Sequence, residues 1–163
     1  MEQIIQLNSG AKLSPHFTLG EMTKSNSHPE VYNIPSHEAI ANLKRLCGWL
    51  EVLRERSGTP IRINSGYRSP QLNRAIHGSA NSNHMTGCAC DIRVSGMEQA
   101  LRYAVILMDY ADESKQEFDE LLIEKNRYGA IWVHFAVRPK DRSATQGDAC
   151  LSKNRRKILF INA

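Results

Sequence analysis

No CxxC pair occurs among the four cysteines, Cys47, Cys88, Cys90 and Cys150. Cys88 and Cys90 point to the same face if they share a strand, but neither has a second spaced Cys or His to complete a thiolate site. All four therefore read as reduced small residues, mostly buried. No window approaches the ~20 apolar residues of a membrane span. The start, MEQIIQLNSGAKL, lacks a basic segment followed by an apolar run, so no secretory signal is expected and anything done outside the cytoplasm would need a separate release route. Repeats and low-complexity tracts are missing as well. The charge imbalance is small, 21 Lys and Arg against 17 Asp and Glu for a net +4, and part of it sits in the tail run Lys153, Arg155, Arg156, Lys157. Without a basic stripe or a known module, nucleic acid is not the expected partner.

What is present suffices for one self-supporting domain over residues 1–163, since 163 residues with 41% hydrophobic content can bury a core without disulfides. Residues 1–35, interrupted by Pro15, Pro29 and Pro35, read as an irregular arm with one short helix near Leu19–Ser25. Ser36 can cap a long helix with apolar positions Ile40, Leu43, Cys47, Leu50 and Leu53, stopped by Gly58. A short strand over 61–64 follows. Ser69-Pro70 then starts a short helix over 71–77, closed by Gly78. Strands are expected at 89–94, 118–124 and 130–137, the last two joined by a turn with Asn126 and Gly129. A helix over 97–110 is expected to turn Leu101, Ala104, Val105 and Met108 inward. Residues 138–150 read as a polar loop, and 157–162 as a final strand. These elements describe an α+β domain with a mainly antiparallel sheet and flanking helices.

The chemistry concentrates in residues 65–91, SGYRSPQLNRAIHGSANSNHMTGCACD. His84 and Asp91 suit a borderline cation such as Zn²⁺. Their spacing puts them roughly 10 Å apart on a helix and more than roughly 20 Å apart if extended, so they meet only where the chain doubles back, as Gly87 permits. In the strand over 130–137, Ile131, Val133, Phe135 and Val137 form the apolar face, and His134 points the other way with Trp132 and Ala136. Two imidazoles and a carboxylate from His84, Asp91 and His134 would leave one position on Zn²⁺ for a water acidic enough to act as nucleophile. Glu120 and Glu124, on one face of the neighbouring strand, could each take its proton, and spacing does not separate them. The Arg68 fork suits a carboxylate or an oxyanion.

The runs SGYRSPQLNRAIHG, SNHMTGCACDI, FDELLIE and WVHFAV resemble the zinc D-Ala-D-Ala carboxypeptidase and L-alanyl-D-glutamate endopeptidase family, hedgehog-like zinc peptidases that include many phage endolysins. The resemblance spans roughly residues 14–137, and its core is an HxxGxxxD motif with a later WxH. It implies zinc on His84, Asp91 and His134, Glu124 as the catalytic base in preference to Glu120, and substrate contacts from Arg68, Ser82 and Tyr67. The implied activity is cleavage of peptide bonds in peptidoglycan stem peptides by a monomer that reaches the wall after release or holin-type export. Three departures stand out. Many members carry an acidic residue where this chain has Ile131, the connection from Glu124 to His134 is longer than in short relatives, and Cys88 and Cys90 could make the site sensitive to oxidation. Ile131 gives weight to an alternative, a catalytically inactive zinc-stabilised module that binds cell wall or protein.

Overall fold

The computed structural model describes residues 8–139 and the backbone of a strand at 155–158. The longest element, helix α2 (His37–Ser57), begins where expected because the Ser36 side chain accepts from the Ala39 N–H, and it ends at Gly58 in the left-handed conformation. Leu43, Leu46, Cys47, Leu50 and Leu53 form its buried stripe. Helix α4 (Met97–Ser114) runs a turn longer than the sequence suggests. Of its expected inward residues, Ala104 is buried and Met108 packs against the core, but Leu101 and Val105 are exposed at 43% and 49%, because the buried stripe is centred on Ala100, Tyr103, Ala104, Leu107 and Ala111.

Both helices pack on one face of a five-stranded sheet. Its strands are β3 (Ile63–Ser65), β4 (Ala89–Arg93), β5 (Phe118–Lys125), β6 (Ile131–Val137) and β7 (Arg155–Ile158), in the order β3-β4-β6-β5-β7. Every pairing is antiparallel except β5 with β7. The molecule is therefore α+β with a mainly antiparallel sheet, as expected. Cys90, Ile92, Leu121, Ile123, Val133 and Phe135 fill the helix-facing side, where Trp49 of α2 stands 5.2 Å from the Phe135 ring. Alternation then turns Asp91, His134, Leu122 and Glu124 to the opposite face. Cross-strand register places Asp91 opposite His134 and Leu122 opposite His134 on its other side.

The N-terminal arm is more ordered than its prolines suggest. Strands β1 (Lys12–Ser14) and β2 (Phe17–Thr18) form a hairpin, and helix α1 (Leu19–Thr23) follows under a capping box between Thr18 and Glu21. Phe17, Leu19 and Met22 enter the core, each such burial stabilising by about 1.5–3 kcal/mol. Glu51 of α2 ties the hairpin down, accepting from Ser14 Oγ at 2.6 Å and the His16 N–H at 2.7 Å.

Helix α3 (Pro70–Ala75) is capped by Ser69 as expected but stops before His77, which takes a left-handed φ of 59°. The β5–β6 turn forms as read, with Asn126 Oδ1 accepting from the Tyr128 and Ala130 N–H groups and Gly129 at φ 88°. The loop expected at 138–150 lies outside the described residues from 140 onward, as do residues 159–162 of the expected last strand and Cys150. No helix among the described residues is long and apolar enough to cross a membrane.

Candidate metal centre

His84 sits in a one-turn 3₁₀ segment (Asn83–Thr86) that begins when Ser82 Oγ accepts from the His84 N–H and ends at Gly87 with φ 77°. Gly87 is needed there on two counts. Its φ is left-handed, and a Cβ would come within 2.4 Å of the Ala39 carbonyl oxygen of α2. Asn42 of α2 donates to the Thr86 carbonyl, which seats the turn on the helix. The His84 ring is then fixed by an Nδ1 contact of 2.7 Å with the Gly66 carbonyl oxygen. A carbonyl can only accept, so Nδ1 donates and Nε2 is the nitrogen available to a metal ion.

That nitrogen faces Asp91. Oδ1 of Asp91 lies 3.4 Å from His84 Nε2 and 2.9 Å from His134 Nδ1, while Oδ2 accepts from Arg68 Nη2 at 3.3 Å. One carboxylate oxygen thus looks into the space between the two rings, and the other is engaged by Arg68. The three side chains present ligand atoms that all lie within 4.8 Å of one another. Two imidazoles and a carboxylate gathered this closely and largely buried are a donor set suited to zinc. The fit holds in the outer contacts too, since the Gly66 carbonyl orients His84 and Arg68 holds Asp91.

Electrostatics follow from the geometry. Burial opposes ionisation of Asp91, but the charge of His84 and the hydrogen bond with His134 hold its carboxyl well below the usual carboxylate range. Burial lowers the basicity of His134, yet its contacts with Asp91 and Glu120 outweigh this and push it up to about 10. A cation entering between the rings would take over the place of that proton. Burial raises the Glu124 carboxyl above its ordinary range, with His134 opposing and Asp91 adding. Burial also lowers Arg68, against the charges of Asp91 and Glu124.

The structure thus brings together His84, Asp91, His134 and Arg68, with Glu124 close enough to feel the charges of His134 and Asp91. It assigns other surroundings to the two remaining sequence-picked residues. Tyr67 is 7% exposed and its ring packs in the hydrophobic core. Ser82 spends its hydroxyl on capping the His84 turn. Beside Arg68 opens a cleft of about 570 Å³, lined among others by Lys24, Asn26, Asn64, Asn126 and Trp132.

Three contributors escaped sequence reasoning. The Gly66 carbonyl has no side-chain signature. Asn33 bridges the arm to the SGYRS turn, donating to the Thr23 and Tyr67 carbonyls and accepting from the Ser69 N–H. Asn83 donates to Asp119 Oδ2 at 3.0 Å and to Glu120 Oε1 at 2.5 Å. Its position beside His84 was the available signal.

The expected oxidation sensitivity of the site does not survive. Cys88 and Cys90 are fully buried, and Cys90 faces the helices rather than the ligands. Burial pushes the Cys90 thiol up, and the Cys47 thiol to about 12, so the nucleophilic thiolate is scarce. Treating native protein with an aromatic disulfide reagent and mapping the adducts by mass spectrometry should find Cys47, Cys88 and Cys90 unmodified until denaturant is added.

A family model described as Peptidase M15 matches residues 15–120. The zinc D-Ala-D-Ala carboxypeptidase of Streptomyces albus G is 32% identical over 91 residues, covering 55% of this chain and 36% of that protein. The chain therefore matches about a third of that relative's length. The crystal structure of the L-Ala D-Glu endopeptidase ChiX of Serratia marcescens superposes with a TM-score of 0.42 at 19% identity, covering 72% of this chain and 99% of the other.

Proposed function

This chain belongs to the peptidase M15 family, and from that premise we propose that it is a zinc-dependent peptidase that cuts peptide bonds in peptidoglycan stem peptides, of D-Ala-D-Ala carboxypeptidase or L-Ala-D-Glu endopeptidase type. The observation that carries the reading is the convergence of His84 Nε2, Asp91 Oδ1 and His134 Nδ1 from separate segments onto one face of the sheet. Those three residues would hold the zinc. When bound, zinc supplies Lewis-acid polarisation and activates water for hydrolysis.

The remaining steps fall to the protein's own groups. Glu124 acts as general base and then as general acid towards the leaving amine. Its burial, which raises the carboxyl, moves it nearer the range where both halves of that transfer are efficient. Arg68 borders the cleft and carries a planar fork suited to a substrate carboxylate or a developing oxyanion. Its pairing with Asp91 also fixes the guanidinium before substrate arrives. The cleft beside it offers a cationic Lys24 and several side-chain amides to a peptide bearing carboxylates. Acting on the wall would require passage out of the cytoplasm, for which holin-type release is the route we propose.

Ile131 favours one second reading, a module that binds zinc and wall peptides without cutting them. The two separate cleanly. Incubated with stem peptides, the zinc-loaded protein should generate new amines visible by mass spectrometry, and Glu124→Ala should retain zinc while losing about 10²–10⁴ of the rate. Undiminished cleavage in Glu124→Ala would remove that residue from the role of base, and no cleavage by the unaltered protein would leave the binding module.

A further inference from the structure

Glu120 stands on the far side of His134 from Asp91, with Oε1 3.5 Å from His134 Nε2. The ring is thus flanked by carboxylates at both nitrogens, Asp91 at Nδ1 and Glu120 at Nε2. A neutral imidazole that presents a lone pair at Nδ1 must carry its hydrogen on Nε2. Glu120 is the acceptor placed to receive it.

This position follows from a break in the strand. Regular alternation would put Phe118 and Glu120 on the same face, which would force either the phenyl ring out of the core or the carboxylate into it. Phe118 pairs with Val137 and Glu120 with Ala136, so two steps on β5 match one on β6. The extra residue, Asp119, makes a β-bulge. Beyond it Phe118 keeps its place in the core, fully buried, and Glu120 turns to the face that carries His134. Bulges commonly re-aim a side chain in this way.

The carboxylate so aimed is also held. Asn83 Nδ2 donates to Glu120 Oε1 at 2.5 Å and to Asp119 Oδ2 at 3.0 Å, and Asp119 is itself only 7% exposed. Asn83 precedes His84 in the 3₁₀ turn. One amide therefore links the turn that carries one proposed ligand to the carboxylate that touches another.

We infer that Glu120, held by Asn83 and aimed by the bulge at Asp119, is the positioning residue that fixes the orientation and tautomer of His134 for metal binding, and is not a second candidate for the base. The inference rests on the reading of His84, Asp91 and His134 as zinc ligands. Glu120 acts through His134, which it meets at Nε2, whereas Glu124 lies further along the strand opposite Trp132, near enough for its charge to act on His134, Asp91 and Arg68 together. The two glutamates that sequence spacing left equivalent are thereby separated by the direct contact that Glu120 makes with the His134 ring.

The test measures zinc affinity of metal-free full-length protein by competition with a chromophoric chelator, together with the melting temperature of the same metal-free protein. Loss of an outer partner of a ligating histidine weakens metal binding by ~10–100-fold, and Glu120→Ala should fall in that range, a larger loss than the one its metal-free melting temperature shows. Glu120→Gln keeps an oxygen to accept from Nε2 and from Asn83, so it should recover to within ~3-fold of the unaltered affinity. Asn83→Ala should weaken zinc binding in the same direction. Zinc affinity unchanged in Glu120→Ala overturns the inference, as does a Glu120→Gln variant no better than Ala, or an affinity loss matched by an equal loss of metal-free stability. Those outcomes leave the zinc reading standing. An unaltered protein that binds no zinc overturns that reading, and the inference with it.

Discussion

An Asp91→Ala variant should lose zinc by more than the ~10–100-fold that removing an outer partner costs, and with it all measurable stem-peptide cleavage. Asp91 is the hub of the site, because its two oxygens meet His84, His134 and Arg68 at once. The metal-free protein should suffer as well. The Arg68 side chain is only 14% exposed, and stripping its carboxylate leaves a largely buried guanidinium without that countercharge, a loss of about 3 kcal/mol for a pair of this kind. Asp91→Asn keeps the shape and discards the charge. It should melt above the Ala variant while binding zinc almost as poorly. Chelator competition and thermal melts on the three proteins check both halves, and zinc retained by Asp91→Ala would show that the ligand set is wrong.

The second large effect comes from a residue with no side chain. Gly87→Ala puts a Cβ at a left-handed φ of 77° and 2.4 Å from the Ala39 carbonyl oxygen. The backbone conformation costs about 1 kcal/mol or more and the overlap about 1–3 kcal/mol, so denaturant melts should show a loss of about 2–4 kcal/mol. Relief can come only by moving the turn off α2, which carries His84 with it. A displacement near 1 Å at a reacting centre can cost ~100-fold in rate, and the variant should show that loss even at temperatures where it remains folded. Gly48→Ala is the contrasting control. It lies exposed within α2 with nothing within 4 Å of the added Cβ, and should gain about 0.5–1 kcal/mol from helix propensity.

Much of this arrangement was legible in the residues, and the parts that were not share a cause. Helix α2 announces itself because Ser36 and Gly58 are caps and the leucines repeat at helical spacing. The face carrying His134 was legible because Ile131, Val133, Phe135 and Val137 alternate cleanly. Helix α4 misled, since its buried stripe is built of Ala100, Ala104 and Ala111 with Tyr103 and Leu107. Alanines contrast weakly with polar neighbours, and Leu101 and Val105 outweigh them in any hydrophobic pattern. The β1–β2 hairpin is too short to show a period. The bulge at Asp119 leaves no periodic trace either, because a single inserted residue is visible only against its partner strand. Likewise the hydrogen bond that fixes His84 comes from a backbone carbonyl, which every residue possesses.

The ties behind His84 have a consequence for how the protein matures. Gly66 packs so closely on the Met22 carbonyl that a Cβ there would approach to 2.3 Å, and the Tyr67 N–H donates to that same carbonyl. Asn33 joins Thr23 to Tyr67, and the Gly66 carbonyl in turn holds the ring of His84. The donor set is therefore complete only when the N-terminal arm has docked and β6 has paired with β4, contacts between residues 34 positions apart (Asn33 and Tyr67) and 43 positions apart (Asp91 and His134). Such distant closures come late in folding. Zinc uptake then works as a final inspection: a chain that holds the ion tightly has already put both its arm and its sheet in place.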